Sequence, residues 1–188
     1  MSSVVDLADR ERGFDALYSS DPDPWGFETS AYEHAKYDAT LAAIEGRRYA
    51  SVLEVGCSIG VLSERLLRVS DRLVALDVSS VALETARARV PGATFVRAEV
   101  PHDWPAGAYD LVVFSEVLYF LEPAEVKAVA RLAVRDLLPD GRIVLVNWLG
   151  ECDMTLDGRE AADLFVRTAG LKTVTGGTID YRLDVLQP

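Results

Sequence analysis

The segment SVLEVGCSIG, residues 51–60, decides the fold of this chain. SVLEV is an apolar, β-branched run typical of a buried strand, and GCSIG is a glycine-containing turn that leads into the helical pattern GVLSERLLRV (60–69). Strand, turn and helix in this order open the units of open parallel sheets, in which ligands bind beyond the carboxyl ends of the strands. The segment therefore predicts a ligand site at the turn.

Strands and helices continue to alternate along the rest of the chain. Further strands are predicted at 72–78, 93–98, 109–114 and 141–148, and amphipathic helices at 79–90, 123–138 and 159–170. The ending differs, because LKTVT (171–175) and TIDYRLDVL (178–186) are separated by Gly176-Gly177, which is typical of a hairpin. We predict a single-domain, Rossmann-like α/β fold, with a seven-stranded, mostly parallel sheet, an antiparallel last strand and helices on both faces.

Two further helices are predicted before the first strand. The first has a rough apolar stripe, formed by Leu7, Phe14, Leu17 and Tyr18. Ser30 and Glu33 form a capping-box pattern that opens the second helix, which is predicted to run to about Glu45. The polar loop 19–27 between them presents Trp25 and Phe27. We expect residues 1–48 to form a helical cover over the ligand, as part of the same domain as the core at 49–188.

Local signals mark the ends of the later helices. Pro123 fits the first turn of the helix at 123–138, and Pro139-Asp140-Gly141 is expected to end it. Asp157 and Glu160 resemble a cap pair for the last helix, and Gly170 fits its end.

Composition limits the partners and the compartment. The net charge of −11 repels polyanions, so nucleic acid is not expected as a partner. No apolar stretch approaches the length of a membrane span, and the N-terminus lacks an apolar signal core, so we predict a cytoplasmic protein without membrane contact. Cys57 and Cys152 are expected to be reduced thiols. We expect a monomer or a weak homodimer that acts on a small molecule.

The turn lacks the glycines of a dinucleotide fingerprint. A pattern that starts at Gly56 needs glycines at 58 and 61, where the chain has Ser58 and Val61. The second of those glycines lets the backbone approach a pyrophosphate, so a ligand without phosphates, such as S-adenosylmethionine (SAM), fits better. Asp77 ends the strand RLVALD and can accept both ribose hydroxyls, or instead cap the helix that starts near Ser79.

These motifs resemble a known family. The chain is similar to the class I SAM-dependent methyltransferases, and within them to the nodulation-protein-S-type N-methyltransferases. The resemblance rests on segments that cover most of the chain, namely DPDPWGF (21–27), SAYEHAKYDATL (30–41), LEVGCSIGVLSERL (53–66), ALDVS (75–79), VPHDWPAGAYDLVVFSEVLYFL (100–121) and LPDGRIVLVNW (138–148). In relatives of this kind the GCSIG form of the turn is usual, so the missing glycine marks a family type.

The resemblance implies roles for particular residues. It implies SAM as cofactor and S-adenosylhomocysteine (SAH) as product, with the methionine part contacted by Glu54, Gly56, Cys57, Ser58 and Gly60 and the amino group by the backbone of Ser115. It places the ribose and the adenine beside Asp77, Val78, Ser79, Glu99 and Val100. It implies a cover formed by Trp25, Tyr32 and Lys36. The acceptor known in the family is the free amine of a deacetylated chitooligosaccharide, which does not transfer automatically because many acceptors share this core.

The acceptor side is expected at FSEVLYFL (114–121), beyond the fourth strand. Glu116 and Tyr119 are three residues apart, so they can share a face and orient an alkylammonium beside Trp148; the alternative is a solvated glutamate and a core tyrosine. His34 is a second candidate base, or a surface residue, and His102 is expected to be structural. No spacing of His, Cys and Asp indicates a metal site.

Three functional hypotheses follow. The first is transfer of a methyl group to a small-molecule amine, such as an aminosugar or a deacetylated oligosaccharide. The second is O-methylation of a sugar or natural-product hydroxyl, for which a catalytic His after the fifth strand is missing, since Asn147-Trp148 occupy that position. The third is a SAM-binding protein without catalysis.

Overall fold

The computed structural model describes residues 9–44 and 46–188 of the 188-residue chain. Leu7 of the predicted apolar stripe and Glu45, the predicted end of the second helix, lie outside the described residues. Within the two described ranges, no helix has both the length and the apolar character required of a membrane span.

In the described part of the chain, seven strands form one sheet in the order β3-β2-β1-β4-β5-β7-β6. Their bounds are β1 (Val52–Val55), β2 (Leu73–Asp77), β3 (Thr94–Arg97), β4 (Tyr109–Ser115), β5 (Leu137–Trp148), β6 (Lys172–Gly177) and β7 (Tyr181–Gln187). The pairs among β1 to β5 are parallel, whereas β7 runs antiparallel to β5 and to β6. This confirms the predicted sheet with its antiparallel last strand. The strand order reverses between β1 and β4, where folds of this type bind their ligands.

Among residues 9–44 and 46–188, six α-helices pack around the sheet, and a short 3-10 helix (Leu118–Phe120) follows β4. Their bounds are α1 (Arg10–Ser20), α2 (Ala31–Ala43), α3 (Val61–Arg68), α4 (Ser80–Arg89), α5 (Pro123–Asp136) and α6 (Gly158–Ala169). Phe14 of α1 and Tyr37 of α2 pack in the same apolar cluster as Leu66 of α3 and Val52 of β1. Helices α5 and α6 cover the opposite face, where Phe165 packs with Leu53 and Val112.

Both faces of the central strands are buried. Val52 belongs to the cluster on one face and Leu53 to the cluster on the other, as the alternation of side chains along a strand requires. All four residues of β1 are buried, and three of them are apolar, with Glu54 as the exception. Each buried Val, Leu or Phe contributes roughly 1.5–3 kcal/mol to folding, so the sheet is a rigid support for the loops at its edge.

Two predicted boundaries are wrong. Helix α5 ends at Asp136 rather than at 138, because the residue before Pro139 is driven out of the helical region, and Leu137 pairs with Tyr109 at the start of β5. The glycine pair is not the hairpin turn. Gly176 and Gly177 are the last residues of β6, and the turn is formed by 178–180.

Gly177 explains the position of the hairpin turn. Its φ is +118°, and a Cβ atom there would lie 2.3 Å from the carbonyl oxygen of Tyr181. The chain then closes when the N–H group of Thr178 donates to that same oxygen at 2.8 Å. The glycine is therefore needed at the end of the strand, one residue before the loop.

The predicted caps are confirmed in part. Asp157 and Glu160 form a reciprocal capping box on α6, and Gly170 ends that helix with φ +63°. Ser30 caps α2 by accepting from the N–H group of Glu33. The reciprocal half of this box was wrongly predicted, because the Glu33 carboxylate instead accepts from Lys36.

Candidate functional site

The turn after β1 brings the backbone close to two neighbouring elements. Gly56 and Gly60 both have left-handed backbones, with φ of +80° and +81°. A Cβ atom at Gly56 would lie 2.9 Å from the Cβ of Val117, and one at Gly60 would lie 3.1 Å from the Cα of Ala86. The two glycines therefore allow close packing that any other residue would obstruct.

Ser58 replaces the expected glycine but keeps a glycine-like conformation, with φ of +50°. Its hydroxyl lies 2.5 Å from the hydroxyl of Tyr18, and its N–H group donates to Asp77 Oδ2 at 2.8 Å. A left-handed serine costs on the order of 1–3 kcal/mol and persists only where its surroundings hold it. The two hydrogen bonds provide that restraint.

Asp77 ends β2 with its carboxylate facing the turn. Its second oxygen, Oδ1, accepts from the N–H group of Ser79 at 2.9 Å. Burial raises the pKa of Asp77, and the hydrogen bonds from Ser79 and Ser58 counteract that rise. Each oxygen takes one backbone bond here and has a second lone pair for a ligand hydroxyl. The capping role considered for Asp77 is wrong, because Ser79 itself caps α4 by accepting from the N–H group of Ala82 at 3.1 Å.

Asp15 of α1 holds the loop that follows Asp77 in place. This role of Asp15 was not predicted from the sequence. Its carboxylate accepts from the hydroxyls of Ser79 at 2.6 Å and Ser80 at 2.9 Å. Asp15 and Tyr18 are three residues apart on α1, so one helical face contacts both the loop after β2 and the turn after β1. The spacing places the two residues on one face but does not identify their distant partners.

Glu54 is buried within β1 with a single polar neighbour that hydrogen bonds to it. It is 1% exposed and accepts from the hydroxyl of Ser63, on α3, at 2.6 Å. Burial raises the pKa of Glu54 to about 8, despite the hydrogen bond from Ser63. A carboxyl group in this state can bind a cation in the pocket, because the cation would favour its ionised form.

One pocket joins the turn to the end of β4. It is lined by residues of β1, the turn, α3, α2, the loop before α2 and the end of β4, namely Phe27, Tyr37, Glu54, Gly56, Cys57, Ser58, Val61, Leu62, Ser115 and Glu116. Ser58 and Glu116 are the two non-glycine residues with positive φ in the described part of the chain. Strained backbone that clusters in one pocket points to a functional site.

Glu116 receives three donors. Lys36 Nζ lies 2.6 Å from Oε1, while the hydroxyl of Tyr119 donates to Oε2 at 2.8 Å and the N–H group of Trp148 to the same oxygen at 2.9 Å. The predicted grouping of Glu116, Tyr119 and Trp148 is therefore present. Burial raises the pKa of the Tyr119 phenol well above its ordinary range, so this group donates and does not act as a base.

The residues expected beside the adenine lie in the loops after β2 and β3. Val78 is half-buried and packs against the core, and Ser79 is fully buried. Val100 is buried, and Glu99 forms an ion pair with Arg10 of α1 at 3.1 Å. Helix α1 thus contacts the loop after β3 as well as the loop after β2.

The aromatic residues expected in the cover lie on either side of the pocket. Trp25 is 40% exposed and packs against Phe14, Tyr18 and Phe27, with ring centroids 5.6–6.3 Å apart. Tyr32 packs edge-on against Tyr181 at 6.2 Å. Phe27 lines the pocket directly.

Neither His34 nor His102 lines the pocket that contains Glu116. His34 lines a separate, open depression of about 450 Å³ together with Asp38, Arg65 and Arg68, and the lining of that depression does not include Glu116. His102 is exposed in the turn after β3. The structure therefore does not bring His34 together with Glu116 and Tyr119.

Strand order, the glycine turn after β1 and the carboxylate that ends β2 together define the Rossmann-like fold of the class I methyltransferases. The family model described as Nodulation protein S (NodS) matches residues 12–151, which is more than half of the chain. The chain belongs to the NodS family.

Individual relatives agree with this assignment. Nodulation protein S of Bradyrhizobium diazoefficiens is 35% identical over 129 residues, which cover 65% of this chain and 61% of the relative. The chain therefore spans less than two thirds of the length of that relative. A putative methyltransferase from Pseudomonas syringae is 33% identical, with a TM-score of 0.75, and the match covers 85% of this chain and 100% of that one.

A structure with a bound product has the same fold. The N-methyltransferase NodS from Bradyrhizobium japonicum WM9, in complex with SAH, superposes with a TM-score of 0.74 over 91% of this chain and 94% of that one. It is 20% identical, so the likeness concerns the fold alone.

Proposed function

We propose that this protein is a SAM-dependent methyltransferase whose acceptor is the amine of a small molecule, such as an aminosugar or a deacetylated oligosaccharide. The observation that carries the proposal is a single pocket in which the glycine turn meets Glu116, a carboxylate that already binds an alkylammonium group, that of Lys36. Membership of the NodS family and the N-methyltransferase named among its similar structures support the same chemistry.

The residues around the turn fit the cofactor. Asp77 has a lone pair on each oxygen for the two ribose hydroxyls, and Gly56 and Gly60 let the turn pack closely against Val117 and Ala86. Glu54 is positioned to pair with the ammonium of the methionine part. Cys57, Ser58 and Ser115 offer polar backbone groups along the same wall. The absence of a second glycine at 58 disfavours a pyrophosphate here.

We propose that the adenosine part of the cofactor lies between the loops after β2 and β3 and the N-terminal helical cover. We place the adenine between Val78, Ser79, Glu99 and Val100. The two N-terminal helices with their loop, residues 9–44 of the described chain, close over it, with Trp25, Tyr32 and Lys36 on the acceptor side. The contacts of Asp15 and Tyr18 with both loops support this arrangement, because they join the cover to the groups that would hold the ligand.

Positioning contributes most of the catalysis. When bound, SAM supplies a methyl carbon activated by its sulfonium, so that an amine lone pair forms the new C–N bond as the C–S bond breaks and its electron pair returns to sulfur. Glu116 orients the amine, with Tyr119 and the N–H group of Trp148 holding the carboxylate in place. An aliphatic amine must lose its proton to attack, and the proton passes to water.

The same geometry disfavours a hydroxyl acceptor. An alcohol needs a general base to accept its proton, and Glu116 is occupied by three donors. His34, the other candidate base, lines a different depression. Asn147 is a fully buried residue within β5, and residues 149–157, which follow the strand, contain no histidine.

Calorimetry with SAH tests the cofactor assignment. We expect SAH and SAM to bind and NAD and ATP not to bind. Asp77→Ala should weaken SAH binding by about 1–3 kcal/mol, since hydrogen bonds to a carboxylate have roughly that value, whereas Asp140→Asn, at an exposed position, should leave it unchanged. Binding of NAD with the affinity of SAH, or no binding of SAH, would contradict the assignment.

A further inference from the structure

Lys36 is a buried ammonium between two carboxylates. The residue is 1% exposed, and its Nζ lies 2.6 Å from Glu116 Oε1 and 2.9 Å from both oxygens of Glu33. The same Nζ lies 5.0 Å from the ring centroid of Tyr32, which places the cation over an aromatic face. These four residues, Tyr32, Glu33, Lys36 and Glu116, form what we call the ammonium cluster.

The ammonium cluster carries one negative charge in excess, because two carboxylates share one lysine. Burial raises the pKa of the Glu33 carboxyl, Lys36 lowers it, and the nearby acids Glu116 and Asp23 raise it further. Glu33 is 8% exposed, and its Oε2 has no donor other than the Lys36 ammonium, which it shares with Oε1. A buried carboxylate that lacks a full partner is costly, so the cluster favours a second cation.

Glu116 also belongs to the pocket that contains the glycine turn, whereas Glu33 is not part of its lining. A cation in this pocket would contact Glu116 and not Glu33. Lys36 would then keep Glu33 as its partner, because Nζ already contacts both of its oxygens. The arrangement allows an exchange of partners without leaving any of the charges unpaired.

We propose that the ammonium cluster is the binding site for the charged amine of the acceptor, and that Lys36 competes with that amine for Glu116. The proposal rests on the proposed function. On binding, the acceptor ammonium takes over Glu116 Oε1, and Lys36 remains on Glu33. A neutral group, such as an N-acetylated amine or a hydroxyl, cannot displace Lys36 from a carboxylate. Lys36 is thus a specificity-determining residue that excludes neutral acceptors.

If Lys36 competes with the acceptor, a variant of Lys36 and a variant of Glu33 should change the KM for an amine in opposite directions. Lys36→Met removes the competitor and leaves two carboxylates for the acceptor, so the KM for an amine should fall by about fivefold or more. Glu33→Gln removes the alternative partner of Lys36 and holds it on Glu116, so the KM should rise by about tenfold or more. If Lys36 had only a structural role, both variants would impair binding.

The experiment measures KM and kcat for transfer from labelled SAM to glucosamine, deacetylated chitobiose and butylamine, with N-acetylglucosamine as the neutral counterpart. Lys127→Met and Glu84→Gln remove the same charges at exposed positions and serve as matched controls. Thermal melting and SAH binding verify that each variant folds and keeps its cofactor site. Lys36→Gln replaces Lys36→Met if the latter does not fold.

The expected result is a lower amine KM for Lys36→Met, a higher one for Glu33→Gln and unchanged values for both controls. If the wild type methylates an amine and the KM of Lys36→Met is unchanged or raised, the competition is refuted while the proposed function stands. If SAH binds but no protein methylates any of the amines, the amine acceptor and the competition are both refuted, and the cofactor assignment alone remains.

Discussion

The hydroxyl oxygens of Tyr18 and Ser58 lie 2.5 Å apart and join helix α1 to the glycine turn. Ser58 is held in a left-handed conformation, and its N–H group is bonded to Asp77. Tyr18 is therefore connected, through one serine, to the carboxylate that we assign to the ribose. Burial raises the pKa of Tyr18 well above its ordinary range, so the phenol remains neutral.

If Asp77 holds the ribose as we propose, this contact makes α1 part of the cofactor site. Tyr18→Phe removes one hydroxyl and should weaken SAH binding about two- to tenfold, the effect of one hydrogen bond. Ser58→Ala should act similarly, and the double variant should be little worse than either single one, because both remove the same bond. Calorimetry with SAH provides the measurement. Fully additive losses would show that the two hydroxyls act independently.

Glu54 should make stability depend on pH. Burial raises its pKa to about 8 in the folded state, whereas an unfolded glutamate titrates near its ordinary value of 4.5. The folded state therefore retains a proton that the unfolded state releases, and the free energy of unfolding should fall between about pH 4.5 and 8. The loss should amount to a few kcal/mol, on the order expected for a shift of this size.

Glu54→Gln keeps the shape of the side chain but removes the carboxyl group that titrates. Its free energy of unfolding in urea, measured from pH 5 to 8, should show a shallower fall than that of the wild type. Glu84→Gln, at an exposed position on α4, is the matched control and should retain the wild-type slope. Equal slopes for wild type and Glu54→Gln would mean that Glu54 has an ordinary pKa.

Gly60 should be less tolerant of substitution than another glycine in the same conformation. Gly60→Ala combines a left-handed backbone with a Cβ atom 3.1 Å from the backbone of Ala86, whereas Gly170→Ala meets nothing within 4 Å. Gly170→Ala therefore measures only the cost of placing an alanine in a left-handed backbone, about 1 kcal/mol. Gly60→Ala should therefore lose more stability, by ~1–3 kcal/mol beyond that. Urea denaturation compares them, and equal losses would refute the importance of the close approach.

Glu116 should affect acceptor binding more than the chemical step. Glu116→Gln removes the charge that orients the amine, so it should raise the amine KM more than it lowers kcat. Because the amine must be deprotonated to attack, the activity of the wild type should increase from pH 7 to 9. A fall in kcat of ~10²–10⁴-fold at an unchanged KM would instead identify Glu116 as the general base. Steady-state kinetics with Glu84→Gln as the control separates these outcomes.

The sequence was sufficient to predict the sheet and the part of the candidate site at the carboxyl ends of β1 and β2. Apolar runs and glycine turns predict the strands, and the carboxyl ends of β1 and β2 must meet at one edge, so Glu54, Gly56 and Asp77 could be placed together. The hairpin turn was misplaced, because the sequence does not reveal that Gly177 must approach the backbone of Tyr181.

Contacts between distant segments could not be predicted. Asp15 and Tyr18 looked like ordinary residues of an amphipathic helix, since their partners Ser79 and Ser58 are more than thirty positions away. Lys36 was expected only as part of the cover, and its pairing with Glu33 and Glu116 depends on how α2 packs over the end of β4. Such pairings depend on packing that no local pattern encodes.

The most direct test of the central claim is mass analysis of the products formed with SAM that carries a trideuterated methyl group. The protein is incubated with this SAM and with glucosamine, deacetylated chitobiose, butylamine, N-acetylglucosamine and glucose, and each product is analysed for label on nitrogen or oxygen. Our account predicts label on the nitrogen of at least one free amine and none on N-acetylglucosamine or glucose. Label confined to hydroxyl oxygens, or no transfer to any acceptor while SAH binds, would contradict it.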